Sequence, residues 1–173
     1  MLKKTFNLTI YADSNEIHII KITTIFLRRR INIESFNVAS SEVDGIIRFT
    51  IVINETEEIT KKLSMQINKQ VGIFKTFYYL NEEIISLEHV LYKVSSTMEV
   101  MEKVLVDTGI RCIYTTENYT VLETTFSSEN KAITKALMRF GIIEVCNSGR
   151  IAVTDKNFEI HQLLKNLIAP KST

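Results

Sequence analysis

The chain has 173 residues, of which 45% are hydrophobic and 24% are charged, and its formal net charge is +1. This composition is typical of a globular protein with enough apolar material for a core, and it argues against a disordered chain. Because 21 basic residues balance 20 acidic ones, no overall field would attract nucleic acid or anionic lipid, and we expect neither as a partner.

The first eighty residues carry alternating strand and helix patterns. Runs of β-branched and aromatic residues predict the strands, and apolar residues at three- or four-residue spacing predict the helices. The polar connector that ends in Gly45 is a hairpin signal, and Asn54–Glu57 has the spacing of a helix start. In chain order, the expected elements are a strand at 5–11, a helix at 17–30, strands at 31–38 and 46–53, a helix from 54–57 to Gly72 with Ile59, Leu63, Ile67 and Val71 on its apolar face, and a strand at 73–79.

The following residues repeat the same order of elements. Ser96 and Glu99 form a capping-box pattern, and Gly109 and Gly141 are suited to end the two helices. The expected elements are a strand at 83–94, a helix from Ser96 to Gly109, strands at 110–115 and 119–126, a helix from Ser128 to Gly141, a strand at 142–146, an apolar run at 151–153 and a terminal helix. We therefore predict an α+β fold of two ferredoxin-like βαββαβ domains, at 4–80 and 81–155, with a terminal helix and tail at 156–173.

Motifs for catalysis, phosphate binding or metal binding are missing from the sequence. It contains no glycine-rich phosphate loop, no nucleophile elbow and no H-E-x-x-H, and its three histidines lie far apart. Cys112 and Cys146 lack ligand spacing and occur in apolar runs, so we interpret them as reduced core residues. The sequence thus predicts no catalytic residues and no metal site.

Targeting and membrane signals are also missing. The lysines near the N-terminus are not followed by an apolar segment with a cleavage site, and no run reaches the roughly 18 apolar residues of a membrane span. We expect a cytoplasmic protein without a membrane partner.

Arg28–Arg30 form a local basic cluster. Cations near the C-terminal end of a helix are favoured by the helix dipole, which gives the cluster a structural explanation. A role facing a partner is the alternative, whereas nucleic-acid binding would require further basic and aromatic side chains on the same face.

Several segments together resemble one protein family. The first is the run Ile22–Val38, whose most specific part is the segment at Arg29–Ser35, and its spacing to the other segments also fits. Those segments are Arg48–Ile51, Lys69–Val71, Leu91–Val94 and Ser148–Ala152. Over residues 4–154 the chain resembles the regulatory small subunit of acetolactate synthase, also called acetohydroxyacid synthase.

This resemblance implies an N-terminal ACT domain at 4–80, an ACT-like C-terminal domain and no active site in this chain. In the family, the small subunit pairs with a large catalytic subunit, which holds thiamine diphosphate, Mg²⁺ and FAD and opens valine, leucine and isoleucine biosynthesis. The small subunit raises the activity of the large subunit and conveys end-product inhibition. The resemblance therefore implies a non-catalytic regulatory subunit without its own cofactors.

The resemblance also implies an effector site. ACT domains form a homodimer edge to edge, with a branched-chain amino acid between them, held by the turn after the first strand and an asparagine of the second strand. The matching residues are Asn32 and the turn residues Ser14, Asn15, Glu16, Ile17, His18 and Ile19. Ile17 stands where the family has glycine, and Ser14 stands where it has asparagine. Because a β-branched residue disfavours positive φ and adds volume, we predict weak valine binding or none.

Two other classes of function are open at the level of sequence. A stand-alone ACT-type amino-acid-sensing protein or DNA-linked regulator would need a helix-turn-helix unit, and both halves of the chain are accounted for without one. A small enzyme on a ferredoxin-like scaffold would need titratable groups that converge in a cleft. Co-purification with a large thiamine-diphosphate subunit would separate these classes from the regulatory subunit.

Overall fold

The computed structural model describes residues 2–96, 109–125, 130–157 and 159–168. The elements in these ranges are β1 (Lys4–Asp13), α1 (Ile17–Arg28), β2 (Ile33–Ser40), β3 (Ile46–Glu55), α2 (Glu57–Asn68), β4 (Ile73–Leu80), a 3₁₀ turn (Asn81–Glu83), β5 (Ile84–Leu87), β6 (His89–Val94), β7 (Arg111–Thr115), β8 (Thr120–Thr125), α3 (Asn130–Met138), β9 (Ile142–Asn147), β10 (Ile151–Thr154) and α4 (Ile160–Ile168). No helix within the described ranges is long and apolar enough to cross a membrane.

The chain divides into two compact units whose limits differ from the expected ones. The first unit combines the chain up to Ser86 with the chain from Arg150 onward, and the second unit is Leu87–Gly149. The expected boundaries at 80/81 and 155/156 therefore need correction. The reason is a strand pairing between distant segments, because β5 forms a two-stranded sheet with β10.

The first unit contains the expected ferredoxin-like sheet. Its strand order is β2-β3-β1-β4, and all of its neighbouring strands are antiparallel. β2 begins at Ile33, two residues later than expected, because the chain turns between α1 and β2 with Arg30 at φ 55°. In this strand order β2 lies at one edge of the sheet, as the split βαβ arrangement predicts.

The core of the first unit lies between this sheet and its two helices. Phe6, Leu8 and Ile10 of β1 are fully buried against apolar side chains of α1 and α2. Thr56 caps α2 by accepting a hydrogen bond from the backbone N–H of Ile59 at 3.4 Å, as the start signal predicts. The expected helical position of Val71 is wrong, because α2 ends at Asn68 and the Val71 side chain is 84% exposed.

The opposite face of the same sheet is covered by the end of the chain. Tyr11, Val43 and Ile46 form a second cluster with Leu164 of α4. The Arg48 guanidinium donates to the carbonyl oxygen of Ala152 in β10. The terminal helix is therefore a layer of the first unit rather than a separate tail.

The second unit repeats the strand order of the first. Its sheet has the order β7-β8-β6-β9, with α3 connecting β8 to β9. The single strand expected at 83–94 is instead two strands in different sheets, β5 and β6, separated by Glu88. The helix expected between Ser96 and Gly109, the cap at Ser128 and the last residues of the tail fall outside the described part of the chain.

The two cysteines belong to this second unit, and both are free thiols. Cys112 is half-buried and packs against the core, which agrees with the sequence interpretation. Cys146 is exposed, so its expected core position is wrong. The register explains the difference, because Cys146 pairs with Leu91 and shares its exposed face of the sheet.

Candidate functional site

The turn between β1 and α1 is held in place by backbone hydrogen bonds. The Ser14 N–H donates to the carbonyl oxygen of Gly45 at 3.0 Å, which links the turn to the β2–β3 connector. The Asn15 N–H donates to the carbonyl oxygen of Asp13 at 2.8 Å. Ser14, Asn15 and Glu16 are all exposed, so a ligand has access to this turn.

The N–H groups at the start of α1 already have partners within the turn. The Asn15 side chain accepts from the Ile17 N–H at 3.0 Å, and the Asn15 carbonyl oxygen accepts from the His18 N–H at 3.2 Å. The Ile19 N–H donates to the carbonyl oxygen of Glu16 at 3.1 Å. A helix start binds anions through N–H groups of this kind. A carboxylate at this turn would therefore have to displace the Asn15 side chain.

Ile17 is the first residue of α1 and is 46% exposed. Arg30 is the single non-glycine residue with positive φ in the described part of the chain. The turn therefore closes without a left-handed residue at position 17, and the expected backbone conflict at Ile17 does not arise. The Ile17 side chain still adds volume at the ligand-accessible side of the turn.

His18 is buried beneath the turn and forms a link to the sheet. Its side chain is 2% exposed, and its Nε2 lies 2.6 Å from Asp13 Oδ1. Since a carboxylate only accepts, the imidazole nitrogen donates this hydrogen bond. Gly72 lies against the ring at φ 87°, where an added Cβ would be 2.3 Å from His18 Cε1. His18 thus supports the turn from below and does not reach a surface ligand.

Asn32 lies at the other end of α1 from the turn. It is exposed and precedes β2 by one residue, so its expected position within the strand is wrong. α1 has 12 residues and is therefore about 18 Å long. A single chain places Ser14–Ile19 together but does not bring Asn32 to the same ligand.

Sequence reasoning missed the supports of the turn. Asp13, Gly45 and Gly72 hold it through side-chain and backbone contacts. The sequence predicts a helix end at Gly72. The contact of Gly72 with His18 depends on the tertiary fold and cannot be predicted from the local sequence.

The basic cluster follows α1 and is exposed throughout. Arg28 lies in the last turn of the helix, and Arg29 Nε donates to Gln66 Oε1 of α2 at 2.6 Å. Both positions agree with the structural explanation, in which cations sit near the helix C-terminus. Within the described residues, no group of three His, Cys, Asp or Glu side chains is arranged to hold a metal ion.

Comparison with known proteins finds similarity to one family. A family model described as the small subunit of acetolactate synthase matches residues 87–156. The acetolactate synthase small subunit of Bacillus subtilis is 28% identical over 156 residues, which cover 87% of this chain and 90% of that protein. The chain is therefore similar to acetolactate synthase small subunits over most of its length.

Two further proteins named as acetolactate synthase small subunits extend the comparison. The chloroplastic small subunit 2 of Arabidopsis thaliana is 30% identical over 137 residues, which cover 77% of this chain and 28% of that longer protein. The crystal structure of the small subunit from Thermotoga maritima superposes with a TM-score of 0.79 at 21% identity, covering 90% of this chain and 99% of that one. The shared fold therefore includes both units.

Proposed function

We propose that this chain is the non-catalytic regulatory subunit of an acetolactate synthase and that it binds and activates the large catalytic subunit. The observation that carries this proposal is similarity over nearly the full length of named small subunits, 90% in Bacillus subtilis and 94% in Mycobacterium bovis. A stand-alone amino-acid-sensing protein is not favoured by these relatives.

The proposed reaction belongs to the large subunit. In this assignment, thiamine diphosphate, Mg²⁺ and FAD are bound there, and this chain contributes no cofactor site. This chain then regulates the activity of the large subunit, which catalyses the first common step of valine, leucine and isoleucine biosynthesis.

The direct test mixes the purified subunits and measures pyruvate consumption. We expect no turnover by this chain alone, basal turnover by its large subunit and faster turnover by the mixture. Turnover by this chain alone, or an unchanged rate after mixing, would contradict the proposal.

We also propose a homodimer formed through β2 and the neighbouring face of α1. β2 is an edge strand, and an unpaired edge is normally covered or protected. α2 packs on β4 and β1. The other half of the sheet, formed by β3 and β2, is therefore the half that α1 covers. α1 exposes apolar side chains there, including Ile19 at 40% and Ile20 at 66%.

Such a dimer would complete the effector site. If two β2 strands pair antiparallel, Asn32 of one copy approaches the Ser14–Ile19 turn of the other copy. This arrangement overcomes the separation of about 18 Å along α1 within one chain. A branched-chain amino acid would then be held between the two copies, with its ammonium near the Asn32 side-chain carbonyl.

The homodimer is tested by placing a charge on α1. Ile20→Lys should raise the dissociation constant of the dimer, because a lysine would be desolvated at the interface. Ile85→Lys is the matched control, since Ile85 is 67% exposed and lies on β5. Sedimentation should show a weaker dimer only for Ile20→Lys, and equal dimerisation of both variants would count against this interface.

Effector binding is tested by calorimetry with valine, leucine and isoleucine. We expect weak binding or none by the natural chain, because Ile17 adds volume and Asn15 occupies an N–H group of the turn. Ile17→Gly removes that volume and lets a carboxylate compete with Asn15 for the N–H; one hydrogen bond to a charged group contributes roughly 1.5–3 kcal/mol, so binding should tighten about ten- to a hundredfold. Micromolar binding by the natural chain that glycine does not improve would refute this account.

A further inference from the structure

A cavity of about 580 Å³ lies in the first unit, on the face of the sheet opposite α1 and α2. Residues of β1 alternate between the two faces, so Ile10 packs with the helices while Tyr11 faces this cavity. Arg48 of β3 lines it from the sheet, and Val153 and Ile160 line it from the end of the chain. The cavity is therefore separate from the turn at the start of α1.

One buried hydrogen-bond donor in this cavity has no protein partner in the described part of the chain. The Arg48 Nε is buried and unpaired among the described residues, although another nitrogen of the same guanidinium donates to Ala152. Tyr11 lines the same cavity and supplies a phenolic hydroxyl as a second donor. Buried polar groups are nearly always paired, so the unpaired Arg48 Nε beside a phenolic hydroxyl in one cavity favours a ligand.

Both groups remain donors at physiological pH. Burial raises the pKa of Tyr11 to about 12, so its hydroxyl keeps its proton, and arginine is always charged. α4 begins at Ile160 on the cavity wall, and the start of a helix carries N–H groups and partial positive charge. These three features all favour a ligand group that accepts hydrogen bonds and carries negative charge.

The remaining wall limits the charge and shape of that ligand. Glu42 and Glu159 also line the cavity and would repel a doubly charged anion such as phosphate. Lys156 does not offset them, because its Nζ pairs with Glu83 Oε1 at 3.0 Å. Val153 and Ile160 offer an apolar surface beside the donors.

The geometry points to a binding site for a small organic monocarboxylate with an aliphatic body, with its carboxylate on Tyr11 and Arg48. The aliphatic body would lie against Val153 and Ile160. This inference does not depend on the catalytic subunit, and it concerns a different face of the sheet from the proposed effector turn.

The test titrates the full chain with isovalerate and follows binding by calorimetry. Tyr11→Phe keeps the buried ring and removes only the hydroxyl, and Arg48→Lys keeps the charge and removes Nε. Each should weaken isovalerate binding about tenfold or more, because each removes a hydrogen bond to a carboxylate. Tyr114→Phe is the control, since Tyr114 is 56% exposed on β7 and should leave binding unchanged.

Two competitors decide the class of ligand. Phosphate should bind more weakly than isovalerate because of the two glutamates. Valine shares the carboxylate and aliphatic body of isovalerate, so tighter binding of valine that Tyr11→Phe abolishes would identify an amino acid as the source of the carboxylate. Absence of isovalerate binding, binding unaffected by Tyr11→Phe, or tighter binding of phosphate would each overturn the inference.

Discussion

Gly72→Ala should destabilise the chain more than a glycine substitution at an open position. Both the backbone conformation of Gly72 and its packing against His18 and Asp13 disfavour a Cβ. Its φ of 87° lies in the left-handed region, where a residue with a Cβ costs roughly 1–2 kcal/mol. An added Cβ would also lie 2.3 Å from His18 Cε1, 2.6 Å from His18 Nε2 and 2.7 Å from Asp13 Oδ2. The methyl group therefore displaces the buried ring and breaks its hydrogen bond to Asp13.

The size of the second effect follows from the burial of His18. The ring is 2% exposed, so breaking its bond leaves a polar nitrogen without water or a protein partner. Such an unpaired group costs about 1–3 kcal/mol. Together with the backbone, we expect a loss of about 2–5 kcal/mol in the free energy of unfolding.

Gly45→Ala is a matched control for the backbone alone. Gly45 has φ 78°, and nothing lies within 4 Å of a Cβ built there. It should cost only the backbone share of about 1–2 kcal/mol. Urea unfolding followed by circular dichroism measures both variants. Equal destabilisation by the two substitutions would refute the packing of Gly72 against His18 as the support of the turn.

Three further predictions concern a helix end, a helix cap and pH. Arg30→Gly should stabilise the chain by about 0.5–1 kcal/mol in urea unfolding, because Arg30 has φ 55° at the end of α1, where glycine is favoured. Thr56→Ala should cost about 1 kcal/mol in the same assay, because it removes the hydroxyl that caps α2; Thr56→Ser should retain most of that stability. Tyr11 has a pKa of about 12 in the folded chain and about 10 when unfolded. Its protonated form therefore stabilises the fold fully below pH 10, and this contribution falls by about 1.4 kcal/mol per pH unit from pH 10 to 12. Urea midpoints should fall less over this range in Tyr11→Phe.

Among the described residues, the order of most strands and helices could be predicted because these elements carry a local apolar pattern. β1 shows this most clearly, with Phe6, Leu8 and Ile10 on its helix-facing side. The division of 83–94 into β5 and β6 could not be predicted in the same way. β5 pairs with β10, more than sixty residues further along the chain. Local periodicity cannot predict a pairing between such distant segments.

The candidate site was predictable only in part. The turn at Ser14–Ile19 lies at a helix start as expected, but the sequence could not show that His18 is buried on Asp13. Helical spacing assigns a residue to a face, and only the tertiary fold decides what covers that face. The cavity at Tyr11 was missed for the same reason, since its other wall comes from β10 and α4.

The division of the first unit between two stretches of chain affects how the protein is made. A ribosome would release β1 to β4 well before β10 and α4, so Tyr11 and Ile46 stay uncovered until synthesis is nearly complete. The second unit, Leu87–Gly149, is translated in between and has all of its own strands by then. We expect the N-terminal sheet to reach its final stability only after translation ends. A nascent chain stopped before Arg150 should therefore bind more of a hydrophobic dye than the finished chain.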